Sequence, residues 1–183
     1  MASHTTTHTL ALAPQQNYQE TSMKSSSMIV LTTCCLLALA ASHASAAQCT
    51  FEIIIKTGGR KNAGTDSRVS LQISAASGPT LEITNLESWG EMSAGHDYFE
   101  SGNLDRFSVP GKCLPSEPCK MLLKSDGKGN KPGWYVDYVM VTQLGSASSK
   151  QHLWSVNQWL ALDEAPHKLS ASSNGCGFAA ELP

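Results

Sequence analysis

The chain has 183 residues, with 13 basic and 15 acidic side chains and a formal net charge of −2. Charges of both signs are interspersed and no run of Lys or Arg occurs, so the electrostatic footprint of a nucleic-acid binder is missing. The length suits one domain with its own core once targeting segments are set aside.

Residues 1–22 are rich in Thr, His and Gln and carry no apolar periodicity, which reads as an unstructured extension with Met23 as an alternative start. Residues 23–47 follow the pattern of a secretory signal peptide: Lys24, an uncharged run from Met28 to Ala41, then small residues ending in Ala44-Ser45-Ala46. The apolar run is about 14 residues long, short of the roughly 20 that span a bilayer as a helix. The expected domain is therefore 48–177, with a tail at 178–183, in the endoplasmic reticulum lumen or secreted. The terminal AAELP is no K-D-E-L type retention signal.

From Gln48 onward, period-two alternation recurs. CTFEIIIKT sets Phe51, Ile53 and Ile55 on one face, and RVSLQIS does the same with Val69, Leu71 and Ile73. Shorter strands are expected at TLEIT, DRFSV, KMLLKS, HLWSV and HKLSA. WYVDYVMVTQL is apolar on both faces, as a central strand is, and places Trp134 and Tyr138 in the core. Trp154 and Trp159 are expected to pack nearby. Between the strands lie the turn signals TGGRKNAG, SGP, SGN, VPGK, SDGKGNKPG and NGCG. Only NLESWGEM offers helical spacing, for a turn or two. This is the pattern of an all-β antiparallel sandwich.

Cys34 and Cys35 depart with the leader, leaving Cys49, Cys113, Cys119 and Cys176. Behind a signal peptide an even count reads as two disulfides. Of the three connectivities, the expected one pairs Cys113 with Cys119 across LPSEP and Cys49 with Cys176. No C-x-x-C or H-x-x-x-H spacing favours zinc.

TGGRKNAGTDSRVSLQI, NLESWG, GHDYFESGNLDRF, CLPSEPCKMLLKSDGKGNKPGWYVDYVMV and QWLALDEAPHKL together resemble the PLAT/LH2 domain in its stand-alone plant stress form, from Cys49 to about Cys176. The resemblance implies two four-stranded antiparallel sheets and a non-catalytic module that docks on membranes, lipids or protein partners, often with calcium. It also implies a role in plant stress responses. An alternative within it is an adaptor that regulates a lipid-modifying enzyme such as a lipoxygenase without touching lipid. Nothing in the sequence asks for more than a monomer.

Two loops are rich in oxygen ligands of the kind calcium takes, Asn62–Ser67 and Glu100–Asp105. The family's calcium-binding members use the segments matching AGTD and F-E-x-G, which points to Asp66, Glu100, Asn103 and Asp105, with the carbonyls of Gly64 and Thr65. The competing reading keeps these acids structural: Asp66 capping its own turn, Asp105 pairing with Arg68 or Arg106. Asp97 reads as solvated. Trp89, followed by Met92, sits where turn residues are expected and suits a membrane interface. No G-x-S-x-G elbow is present, and no catalytic residue is assigned.

Overall fold

The computed structural model describes residues 47–145 and 148–177. The expected extension, all of the expected leader except Ala47, and the tail lie outside the described residues. Eight strands are described: β1 (Gln48–Thr57), β2 (Val69–Ser74), β3 (Thr80–Ile83), β4 (Leu104–Lys112), β5 (Lys120–Ser125), β6 (Trp134–Leu144), β7 (Lys150–Leu160) and β8 (Ser170–Asn174). NLESWGEM supplies a single 3-10 turn, Glu87–Trp89. The strands form two antiparallel four-stranded sheets, a first of order β4-β1-β6-β7 and a second of order β3-β2-β5-β8.

Alternation decides which residues fill the space between the sheets. Phe51, Ile53 and Ile55 of β1 and Val69, Leu71 and Ile73 of β2 point inward and are buried. Removing each such side chain from water contributes about 1.5–3 kcal/mol. In β6 the alternation breaks: the ladder shifts register between Val136 and Tyr138. Trp134 and Val136 enter the core before the shift, and Val139 and Val141 after it. A bulge inserts one residue and exchanges the faces of everything beyond it. Tyr138 is consequently half-buried on the outer face and not in the core as expected. The Trp134 indole donates to Thr57 Oγ1 at 3.0 Å, which satisfies the one polar atom the ring carries inward.

All four cysteines pair, but with other partners than expected. The bonds are Cys49–Cys113 and Cys119–Cys176, with Cα separations of 4.9 and 5.1 Å. The LPSEP segment is not a closed loop; it carries the chain from the end of β4 in the first sheet to the start of β5 in the second. Packed sheets lie about 10 Å apart, beyond the span of a disulfide. Each cysteine instead reaches a neighbour on its own sheet: Cys49 lies beside Gly111 at the end of β4, and Cys119 beside the end of β8. Gln143 pins the crossing segment, accepting from Leu114 N at 2.7 Å and donating back to Leu114 O at 3.2 Å.

Strand direction places four connections at one end of the sandwich: 84–103, 58–68, 126–133 and 161–169, in that lateral order. The acidic motifs and Trp89 all lie in these segments.

Candidate functional site

Two of the four connections build the site. Loop 58–68 leaves β1 and is held against its neighbours by Tyr135 N–H donating to Ala63 O and Thr65 N–H donating to Phe99 O. Thr65 Oγ1 accepts from Ser67 N at 3.1 Å, so Thr65 and not Asp66 caps this turn. A methyl group on Gly64 would meet Ser101 N and Glu100 Cα within about 3 Å of its carbon, so only glycine allows the two loops to approach so closely.

Loop 84–103 is organised by Asp105. Its side chain is fully buried; Oδ2 accepts from Phe99 N at 2.8 Å and Oδ1 lies 2.6 Å from His96 Nε2. Phe99 has φ 61, a left-handed conformation that costs a bulky residue of order 1–3 kcal/mol and persists only where its surroundings hold it. The carboxylate holds it here. Behind the loop, Asn103 Nδ2 donates to Asp97 O at 3.1 Å, and Lys56 Nζ donates to Gly102 O.

Asp66, Asp97 and Glu100 emerge from this scaffold, each offering a carboxylate oxygen within 4.8 Å of the others. Asp66 and Asp97 are exposed and Glu100 is half-buried. Among the described residues no base and no hydrogen-bond donor engages any of the three. Each like-charged pair at such a separation costs about 1 kcal/mol even in bulk water. Ligands on one calcium ion sit roughly 2.3–2.6 Å from it, hence at most about 5 Å from one another. The geometry therefore suits one divalent cation. The Gly64 and Thr65 carbonyls accept no hydrogen bond from a described residue and remain free to contribute oxygens.

The structure divides the residues singled out from the sequence. Asp66 and Glu100 come together. Asp105 does not join them: both its oxygens are committed inward, to His96 and Phe99 and not to an arginine. Asn103 works from behind, on the Asp97 carbonyl. Asp97, read from the sequence as merely solvated, is the third acid. Its side chain is exposed on a loop, where no alternation marks the direction a residue takes.

The turn Glu87–Trp89 borders this cluster through Glu87. Trp89 is 41% exposed, and Glu87, two residues earlier, borders the same depression as Asp66 and Asp97. The turn rests on Tyr98, whose hydroxyl accepts from Met92 N at 3.1 Å and whose ring fills the space where Gly90 lacks a side chain. Met92 is half-buried and its backbone ties the turn down. At the far side of the same end, Leu162 is 68% exposed. No sequence feature marked it.

A sandwich of two four-stranded antiparallel sheets in the orders β4-β1-β6-β7 and β3-β2-β5-β8 is the architecture of a domain of the lipoxygenase-homology class. A PLAT/LH2 domain is matched over residues 51–170, and the chain belongs to that family. PLAT domain-containing protein 2 of Arabidopsis thaliana is 45% identical over 132 residues, covering 71% of this chain and 72% of its own. PLAT domain-containing protein 3 of the same plant is 46% identical over 104 residues, 55% of this chain and all of its own. Among solved structures, coral 8R-lipoxygenase superposes with a TM-score of 0.53 at 21% identity, over 68% of this chain and 16% of the enzyme's. The matched part is thus a small fraction of that enzyme.

Proposed function

We propose that this protein is a non-catalytic PLAT/LH2 module whose loop end docks reversibly on lipid surfaces, with calcium held by Asp66, Asp97 and Glu100. The reading places it in the endoplasmic reticulum lumen or outside the cell, in plant stress physiology. One observation carries it: three carboxylates with no partner among the described residues lie beside the turn that exposes an indole. A cation there cancels the repulsion between loops 58–68 and 84–103 and joins them. Because Glu87 borders the same opening, that edge becomes a single ordered surface presenting Trp89 to an interface, where its ring buries and its N–H stays hydrated. The coral lipoxygenase that shares the fold is described as activated by calcium through a C2-like domain, which supports the cation reading. The two disulfides support an oxidising compartment.

Calorimetric titration with calcium tests the centre. The unaltered chain is expected to bind one ion, and Asp97→Asn to weaken it roughly tenfold, because calcium affinity follows the number of ligand charges. Asp97→Asn binding as tightly as the unaltered chain overturns the assignment. Flotation with vesicles containing phosphatidylserine, in calcium or chelator, tests docking. Binding that calcium strengthens and that falls on Trp89→Ala in calcium supports it, and no binding in either condition overturns it.

A further inference from the structure

The two sheets differ on the faces they turn away from the core. On the second sheet the outward positions are polar, among them Ser70, Gln72, Lys120, Lys124 and Ser172, with Leu122 the exception. On the first sheet the register aligns Arg106, Ile54, Met140 and Leu153 in one row across all four strands. Leu153 is 51% exposed, while Ile54 and Met140 are half-buried, with no element among the described residues over them. A depression bordered by Ile54, Arg106, Met140 and Gln151 lies on this face. The row toward the loop end reads Leu104, Lys56, Tyr138, Ser155, and the row on the other side reads Ser108, Glu52, Thr142, Gln151.

We infer that this face is a self-association surface, on which a second copy of the chain packs sheet to sheet about a two-fold axis parallel to the strands, between β1 and β6. The pattern is complementary to itself in that orientation. Ile54 falls over Met140 of the second copy, the stem of Arg106 over Leu153, Lys56 over the ring of Tyr138, and Glu52 over the Thr142 hydroxyl. No two like charges meet. A two-fold axis across the strands instead stacks Arg106 on Arg106. An anionic bilayer is disfavoured by Glu52 on the face and Glu91 at its rim.

The area sets the strength. Four strands about 4.8 Å apart and three rows about 6.8 Å apart give roughly 400 Å² on each copy, about 800 Å² together. That falls in the weak class of interfaces, below the 1,200 Å² or so of standard ones. The association is therefore concentration-dependent, with a Kd weaker than about 1 μM. It needs neither calcium nor lipid and does not rest on the reading above.

Sedimentation equilibrium of the full chain, in chelator and without lipid, tests it. A monomer–dimer equilibrium is expected. Met140→Glu sets a carboxylate against Ile54 of the second copy and is expected to weaken dimerisation at least roughly tenfold. Leu153→Glu, at the most exposed position of the row, faces Arg106 of the second copy and is expected to tighten it several-fold, because two symmetric ion pairs form. About the other axis Leu153→Glu would meet itself and loosen the dimer, so the sign of its effect decides the geometry. Leu122→Glu, on the opposite face, is the control and is expected to leave the constant unchanged. Near-ultraviolet circular dichroism confirms that each variant is folded. A single monomeric species at all concentrations overturns the inference, as does a dimer that survives Met140→Glu or is abolished by Leu122→Glu. Monomers that bind phosphatidylserine vesicles through Met140 overturn it in favour of a bilayer.

Discussion

Asp105 occupies the kind of position in which a carboxylate is indispensable to its fold without being a ligand. It is buried, it fixes the left-handed Phe99 through one oxygen, and it holds His96 with the other. Truncation leaves the Phe99 N–H without a partner in a buried place and removes the brace of a strained residue. Asp105→Ala is expected to cost about 2–4 kcal/mol in urea unfolding. Asp105→Asn keeps an acceptor for Phe99 N, and its amide can donate to His96 Nε2 once the imidazole carries its proton on Nδ1; it is expected to cost about half as much. Calcium affinity should follow the same order although neither variant removes a proposed ligand, because loop 96–103 presents Asp97 and Glu100. Equal stability of the two variants would show that the braces are not what Asp105 supplies. The acids of GHDYFESGNLDRF were legible in the sequence as a group, but their division was not. A carboxylate two residues before the buried Phe107 on the same strand face points inward with it, and that parity depends on where β4 starts.

Among the elements, the strands were read nearly in full and the connections poorly, because alternation is a local signal and pairing across the sandwich is not. β1, β2 and β6 lie within a residue or two of their expected positions, since runs such as FEIII and VSLQI admit one inward face. β8 is displaced from HKLSA to Ser170–Asn174, where small polar residues carry almost no pattern. The β6 bulge is what separates Tyr138 from Trp134, since a strand apolar on both faces does not show where its parity changes. The disulfides were misassigned because nearness in sequence was taken for nearness in space, while LPSEP crosses between sheets. Digestion without reduction separates the pairings: trypsin releases residues 113–120 as one peptide, expected to stay linked to the peptides of both Cys49 and Cys176. Release of that peptide alone would restore the Cys113–Cys119 bond. Replacing Cys119 and Cys176 by Ser lifts the constraint on a loop with a sequence separation of 57. This is expected to cost about 4 kcal/mol on the chain-entropy account. Faster amide exchange should appear first in β8 and β5, since β8 pairs with β5 alone.

At the scale of the whole molecule, the sandwich sorts its chemistry by end and by face. The outer face of the first sheet, which a second copy is inferred to cover, lies away from the loop tips, so dimerisation and docking do not compete for the same residues. The loop end has two exposed apolar points at its lateral extremes, Trp89 in segment 84–103 and Leu162 in segment 161–169, with Lys128 and Lys131 on segment 126–133 between them. Three strand spacings separate the extremes, about 14 Å. Groups so far apart with no shared partner act nearly additively. On the docking reading, burying either side chain in an interface contributes up to about 1.5–3 kcal/mol, and each lysine near an anionic surface about 1 kcal/mol. The two points differ in one respect: the turn that carries Trp89 borders the acid cluster through Glu87, whereas Leu162 lies in the segment at the opposite extreme. Calcium should therefore govern the contribution of the first and leave the second unchanged. With phosphatidylserine vesicles in calcium, Trp89→Ala and Leu162→Ala are each expected to lower partitioning roughly tenfold, and together about a hundredfold. In chelator the residual binding should be weak, sensitive to added salt through the lysines, reduced further by Leu162→Ala and insensitive to Trp89→Ala. If Trp89→Ala weakens binding equally with and without calcium, the acid cluster does not control the turn beside it. Docking would then rest on exposed apolar groups and lysines alone.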